Sequence, residues 1–312
     1  MVKLLRSQAY IFVMIAAVLA GALLPQAKFL SLGNTIFLQI IFFLSCLRID
    51  LKLVYSYIKD WRFLLAANFL MLIGFPLLVW AVNLLHPTNL GFAVFLLAAM
   101  PIGMTAPLLV ELAGLKNEST MVLTVTTSLL ATITIPLLVK ILFGESVDVS
   151  ASDIFWQLAF VILLPFLFAV GIRAIKRVSA KKIDPFAKPV SLALLGCIIA
   201  GAVAKNAKAG LALTLNPAYL LAVLAVLYVF FAVVILIGYY AFFWETKETR
   251  ASASVALACM NFTLAIYLSS KFFPEPSILL PLVIAIIPWA TVMPVWKNAL
   301  GKRLNQTALK NS

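Results

Sequence analysis

Apolar residues run along this chain in stretches of about twenty, separated by short polar punctuation. The runs predict helical spans near 8–25, 29–47, 62–85, 90–114, 119–143, 153–175, 189–206, 216–243, 250–272 and 277–299, each near the ~20 residues that cross a bilayer as a helix. The first run follows Lys3 and Arg6 and precedes Ala27, as a signal peptide would, but its length and the bulk of Phe12 and Met14 predict a retained helix. Five spans lie on each side of an acidic link carrying Glu145, Asp148 and Asp153, which divides the chain into 1–148 and 149–312. Because five is odd, two related halves would enter the membrane in opposite directions, as inverted repeats. A weak echo supports this: Ala131-Thr132 then Pro136 in the fifth span, Ala290-Thr291 then Pro294 in the tenth.

Composition narrows the class. Of 312 residues, 64% are apolar and 11% charged, and the mean hydropathy is +1.11, which excludes an ordinary water-soluble globule and leaves an all-α polytopic membrane protein. The formal charge of +13 has to be sorted by membrane side before a partner is inferred from it. With ten spans, all but five of the 24 basic residues fall on the side of the termini. The other side receives Lys28, Lys140, Lys205, Lys208 and Lys271 together with the acidic link. Cytoplasmic loops carry the excess of Lys and Arg, so both termini are expected in the cytoplasm of a plasma-membrane protein. Nucleic acid is not an expected partner; lipid is, and the cluster from Arg173 to Lys188 reads as a cytoplasmic loop that orients the chain and touches anionic headgroups. Cys46, Cys197 and Cys259 are scattered singly and read as small buried residues, and a lone His86 before Pro87 leaves no histidine metal site.

Chemistry is sought where a membrane helix is interrupted, because open backbone at membrane depth is tolerated only against protein or a water-filled cavity. The fourth span carries Pro101-Ile102-Gly103-Met104-Thr105-Ala106-Pro107 near its middle. Pro107 has no N–H for the carbonyl of Gly103, so a broken helix with a released carbonyl is expected there. In the fifth span Thr120, Thr124 and Thr127 recur at helical spacing, either to line a face toward the break or to bond their own backbone. The ninth span opens on small residues, Ala251-Ser252-Ala253-Ser254, and carries Asn261 and Thr263 near its centre. Asn261 either meets a solute or ties two helices together. No span holds an Asp or Glu near its middle; Glu111 comes nearest. Without paired carboxylates, histidines or an activated serine, an enzyme is not expected.

These features together resemble the bile acid:sodium symporter family over nearly the whole chain. Pro101 to Pro107 followed by Leu112-Ala113 is similar to its Pro-Gly-Gly-Thr-Ala-Ser-Asn stretch and later Leu-Ala. Ile133-Thr134-Ile135-Pro136 is similar to its Leu-Leu-Thr-Pro; Ala256 through Met260-Asn261-Phe262-Thr263-Leu264-Ala265 to its Glu-x-x-x-Gln-Asn-x-x-Leu-Ala; and Trp296-Lys297-Asn298 to its Trp-His-Asn. The resemblance implies ten helices in two groups, a core (helices 3–5 and 8–10) and a panel (helices 1, 2, 6 and 7). The broken fourth and ninth helices would cross near the bilayer centre, with the solute held between the groups. It also implies symport of organic anions with sodium.

The departures fall on the sodium ligands. Ala106-Pro107 stand for Ser-Asn, and Ala256 and Met260 for the glutamate and glutamine. Thr120, Thr124 and, more loosely, Asn68 match the remaining ion-binding positions, so hydroxyls and carbonyls alone would have to offset the dehydration of a hard cation. Sodium coupling through the family's two sites is expected to be lost or strongly weakened, and no cofactor is expected. Lys297, in the family's histidine position, either snorkels to the headgroups or attracts an anion. The expected solute-binding residues are Thr105, Asn261, Thr263, Lys297 and Asn298. The resulting expectation is a secondary carrier of a small organic solute, an organic anion, by alternating access. The rivals are an arsenite-efflux-like carrier, which would need a glutamate where Thr263 stands and a cysteine in the fourth helix, and a membrane-embedded sensor, which would need a soluble output domain.

Overall fold

The computed structural model describes residues 2–47, 60–115, 117–144, 149–175, 180–205 and 215–310. Arg48, Lys52, Lys59, Lys116, Glu145, Asp148, Lys176, Arg177 and Lys208, which enter the charge partition above, lie outside them. The described chain is mostly helical, with a single β-type bridge, between Ile102 and Met260, among the described residues. In lipid every N–H and C=O must be satisfied internally, and the helix does this within one segment.

In chain order, α1 (Val2–Leu23) leads through a 3-10 stretch (Pro25–Gly33) into α2 (Asn34–Cys46). Next, α3 (Trp61–Phe69) and α4 (Phe75–Leu85) are joined by a π turn (Leu70–Gly74). Two short helices follow, α5 (Asn89–Ala98) and α6 (Ala106–Leu112), and then the long α7 (Glu118–Phe143). A second π turn (Ala159–Leu163) joins α8 (Ala151–Leu158) to α9 (Leu164–Ile175). After α10 (Ala180–Lys205) and α11 (Pro217–Tyr240) comes a second pair of short helices, α12 (Lys247–Ala258) and α13 (Phe262–Phe272). The described chain closes with α14 (Pro276–Ile284) and α15 (Ile286–Lys310).

Seven stretches among the described residues are long and apolar enough to cross a membrane: Pro25–Cys46, Trp61–Leu85, Glu118–Phe143, Ala151–Arg173, Pro185–Lys205, Pro217–Tyr240 and Pro276–Leu300. Large apolar side chains such as Ile141, Phe168 and Val229 stand exposed on their outer faces, where lipid rather than water is their neighbour.

Three local readings need correction. The third and sixth spans are not uniform α-helices. Each π turn ends two residues before a proline, Pro76 or Pro165, and the wider turn moves the carbonyl four residues back away from the proline ring. The segment 180–188, read as loop on the strength of Asp184-Pro185 and Lys188-Pro189, is helical as the start of α10. The carbonyls those prolines leave free, at 181 and 185, sit at the polar end of the helix, where water can take them. The tenth span is interrupted at Ala285 and its second half continues as helix to Lys310.

Burial of apolar surface does not drive helices together in lipid, so close approach and polar ties must. The second turn of α12, Ala251 to Ser254, is fully buried, and α12 packs on α11. A Cβ on Gly238 of α11 would lie 3.1 Å from the Ser254 Cα. At that end Arg250 stacks over Tyr239, 4.5 Å from its ring centre, and donates to the Tyr239 carbonyl; Trp296 of α15 packs edge-on against Tyr239 and donates to Ser254 Oγ at 2.9 Å. At the opposite end Phe92, Phe95, Phe143 and Phe273 cluster with neighbouring ring centres 4.6 to 6.0 Å apart, fastening α5, α7 and the end of α13. Elsewhere α1 and α2 pack on α10, and α2 also on α9.

Candidate functional site

The two pairs of short helices interrupt each other. Between α5 and α6 the chain is extended at Pro101 to Gly103, and between α12 and α13 at Cys259 to Asn261. The two segments run antiparallel and exchange backbone bonds: Gly103 N–H donates to Cys259 O at 2.6 Å, and Asn261 N–H to Pro101 O at 2.9 Å, on either side of the Ile102–Met260 pair. A two-rung ladder thus replaces the helical bonds that each break removes, which is how open backbone survives in an apolar surrounding. Gly103 is required by close approach: a Cβ there would fall 3.1 Å from Met260 O and 3.2 Å from Cys259 O.

The ladder is supported from α7. Ile102 N–H donates to Thr127 Oγ1 at 3.2 Å, and that hydroxyl donates onward to Leu123 O at 2.6 Å. The threonine face therefore does both jobs considered from the sequence: Thr127 holds the break, while Thr124 and Ser128 bond their own backbone at Thr120 O and Thr124 O. Thr127→Val should leave a buried N–H unpaired and lower unfolding stability by about 1–3 kcal/mol, read as a drop in the thermal unfolding midpoint of the purified protein.

The Gly103 carbonyl is not released as expected. It accepts from Ala106 N–H at 2.9 Å, three residues on, in the turn that opens α6, where Pro107 has no N–H to offer. Beyond α6 the chain reverses at Gly114, φ +77°, with Gly114 N–H on Glu111 O and Leu115 N–H on Val110 O; this C-terminal cap turns the chain into α7.

Of the named residues, Pro101 and Gly103 lie buried in the ladder, Pro107 is in the first turn of α6, and Thr105, just before it, is exposed. Asn261 is 7% exposed and its Oδ1 accepts from Leu264 N–H at 3.0 Å, capping α13. Its side-chain NH2 has no partner among the described residues. Thr263 follows in the first turn, half-buried. Lys297 and Asn298 are exposed on α15 beside Trp296. That tryptophan bonds Ser254 of α12, seven residues before Asn261 in the chain.

The ion-binding candidates lie on two helices, Asn68 on α3 and Thr120 and Thr124 on α7. The Asn68 amide donates to Leu64 O at 2.8 Å and Thr126 Oγ1 at 3.0 Å, leaving its buried Oδ1 unpartnered. Thr120 Oγ1 is also buried without a partner among the described residues, and Thr124 Oγ1 donates to the Thr120 carbonyl. Ala256 and Met260 are buried apolar side chains that bring no oxygen ligand.

Next to the crossing, Met104, Val125, Ser128 and Leu129 face Phe42 and Cys46 of α2 and Ile162 and Phe166 of the α8–α9 span across a hollow of about 10 Å³, room for one water. None of these eight was a candidate from sequence. A signal was present: Phe42 and Cys46 repeat at helical spacing on α2, but an apolar stripe in a membrane helix reads equally as a lipid face. A larger hollow, about 330 Å³, lies away from the crossing beside Lys140 and Ser150 to Ser152. Outside the spans, the Glu245 carboxyl is held above the ordinary range by desolvation and then by Asp60, against a hydrogen bond from Trp244.

Among curated proteins nothing matches this chain. The sequence profile of the SBF-like CPA transporter family, which is related to the bile acid:sodium symporters, matches residues 8–291. Spanning helices and a match over nearly the full length make this an integral membrane protein that belongs to the SBF-like CPA transporter family.

Proposed function

We propose that the protein is a secondary carrier of a small organic anion, working by alternating access. The carrying observation is the pair of interrupted helices held by a two-rung backbone ladder, with a hollow beside it between two groups of helices. One group, the panel, is α1, α2, α8–α9 and α10; the rest is the core, and the solute sits between them. Ten crossings in two inverted repeats, 1–148 and 149–312, fit the seven long apolar stretches once α1 and the pairs α5–α6 and α12–α13 are added. The distribution of basic residues supports cytoplasmic termini in the plasma membrane.

The helix start at Phe262 faces the crossing and carries the positive end of a backbone dipole, which favours a carboxylate without a dedicated arginine. The Asn261 NH2 and the Thr105 and Thr263 hydroxyls supply neutral hydrogen bonds. A hollow with room for one water describes a closed state of the cycle, and loading requires the panel to move.

Sodium is proposed to contribute little, since the anionic ligand is replaced by buried Ala256 and hydroxyls alone do not offset cation dehydration. A thermal-shift screen of purified protein against organic acids, in sodium and again in potassium, tests both parts, because a ligand that binds the native state raises its apparent stability. The midpoint should rise by several degrees with the cognate acid, equally in both salts. A shift that needs sodium contradicts the loss of coupling, and no shift with any acid contradicts an organic-anion carrier.

A further inference from the structure

Tyr267 of α13 is 2% exposed, and its hydroxyl reaches out of the core to two panel helices. It bonds Thr35 Oγ1 of α2 at 2.8 Å and accepts from Gln157 Nε2 of α8. Lys271, one turn along α13, donates its Nζ to Gln157 Oε1. With that oxygen engaged, the glutamine amide is oriented so that its NH2 faces the tyrosine. A buried tyrosine hydroxyl needs partners, and both of these lie across the divide between the two groups.

The position gives the contact a role. Thr35 is in the first turn of α2, Gln157 in the second turn of α8, and Lys271 at the end of α13, so the cluster sits at one end of the bundle. From Thr35 the inward face of α2 descends through Leu38, fully buried, to Phe42 and Cys46, which line the hollow beside Met104. From Gln157 the facing helix descends to Ile162 and Phe166, which line the same hollow. The polar cluster and the hollow thus share the same two elements, α2 and the α8–α9 span.

We propose that Tyr267, bonded to Thr35 and Gln157, is a latch that holds panel and core together at the end opposite the termini, with Lys271 positioning Gln157. The seam opens on that side when the hydroxyl is released. This rests on the two-group carrier reading above.

The test uses the full-length protein in cells, with Cys46, Cys197 and Cys259 replaced and a reporter introduced by Leu38→Cys, labelled from outside with a membrane-impermeant maleimide. Tyr267→Phe keeps the ring and removes the hydroxyl with both of its bonds; it should raise the labelling rate by at least about fivefold, the factor supplied by one hydrogen bond of ordinary net strength. Thr35→Val removes one partner and should raise the rate in the same direction, which keeps the test alive if Tyr267→Phe fails to fold. Unchanged rates in both variants, with the parent still labelled, overturn the latch and leave the carrier reading standing. No external labelling in any of the proteins, while a Met104→Cys reporter reacts from the cytoplasmic side, overturns outward opening and the latch with it.

Discussion

Gly103→Val should remove ligand-induced stabilisation entirely and lower the unfolding midpoint more than any other single change at the crossing. The reason is geometric. A Cβ at this position would lie 3.1 and 3.2 Å from two carbonyl oxygens of the opposing segment, and that segment is pinned on both sides by its own bonds to Pro101 and Gly103. Alanine would ask the neighbours to give by a few tenths of an ångström and should cost about 1–3 kcal/mol, in the range of core overpacking. Valine adds two carbons with no room beside the ladder, so the rungs must separate and leave buried N–H and C=O groups unpaired, each at about 1–3 kcal/mol. Thermal unfolding of both variants, with and without a stabilising organic acid, reads the effect. A valine variant that melts with the parent and still responds to the acid would contradict the ladder.

Asn261→Asp should separate the two roles of that side chain. The structure uses Oδ1 to cap α13 through Leu264 N–H, and a carboxylate oxygen serves as well there, with its charge at a helix N-terminus. Stability should therefore hold, whereas Asn261→Ala should lose about 1 kcal/mol. Toward an anionic solute the order reverses. The aspartate replaces an NH2 donor with a like charge and should weaken anion binding at least a hundredfold, about 3 kcal/mol, while alanine loses only the donor. Calorimetric titration with an organic acid checks this; equal affinity of the aspartate variant and the parent would exclude Asn261 from the solute site.

How far the chain declares this arrangement differs from residue to residue. The break between α5 and α6 announces itself through Pro101, Gly103 and Pro107, because two prolines and a glycine cannot continue a regular helix. The facing break has no such signal: Cys259-Met260-Asn261 is helix-compatible, and only Asn261, a strong capping residue, marks where α13 restarts. What interrupts the chain there is the opposing segment, which takes and gives the ladder bonds, and a tertiary partner cannot be read from local residues. The π turns at 70–74 and 159–163 were hidden similarly, since Pro76 and Pro165 predict a disturbance but not its form. Thr120, Thr124 and Thr127 were placed on one face of α7, yet their spacing could not assign Thr127 to the break and Thr124 to its own backbone. The α2 and α8–α9 side of the hollow, Phe42, Cys46, Ile162 and Phe166, was illegible because lipid and a helix neighbour favour the same apolar side chains.

The most direct measurement is the two-sided accessibility of Met104→Cys in the otherwise cysteine-free protein, labelled with a membrane-impermeant maleimide in intact cells and in inverted membrane vesicles. Met104 lies in the interrupted segment and faces the hollow lined by α2, α7 and the α8–α9 span. Alternating access predicts reaction from both sides, slowed on both by a bound organic acid. Reaction from neither side would mean that the crossing is sealed packing rather than a solute site, and the carrier account would be wrong.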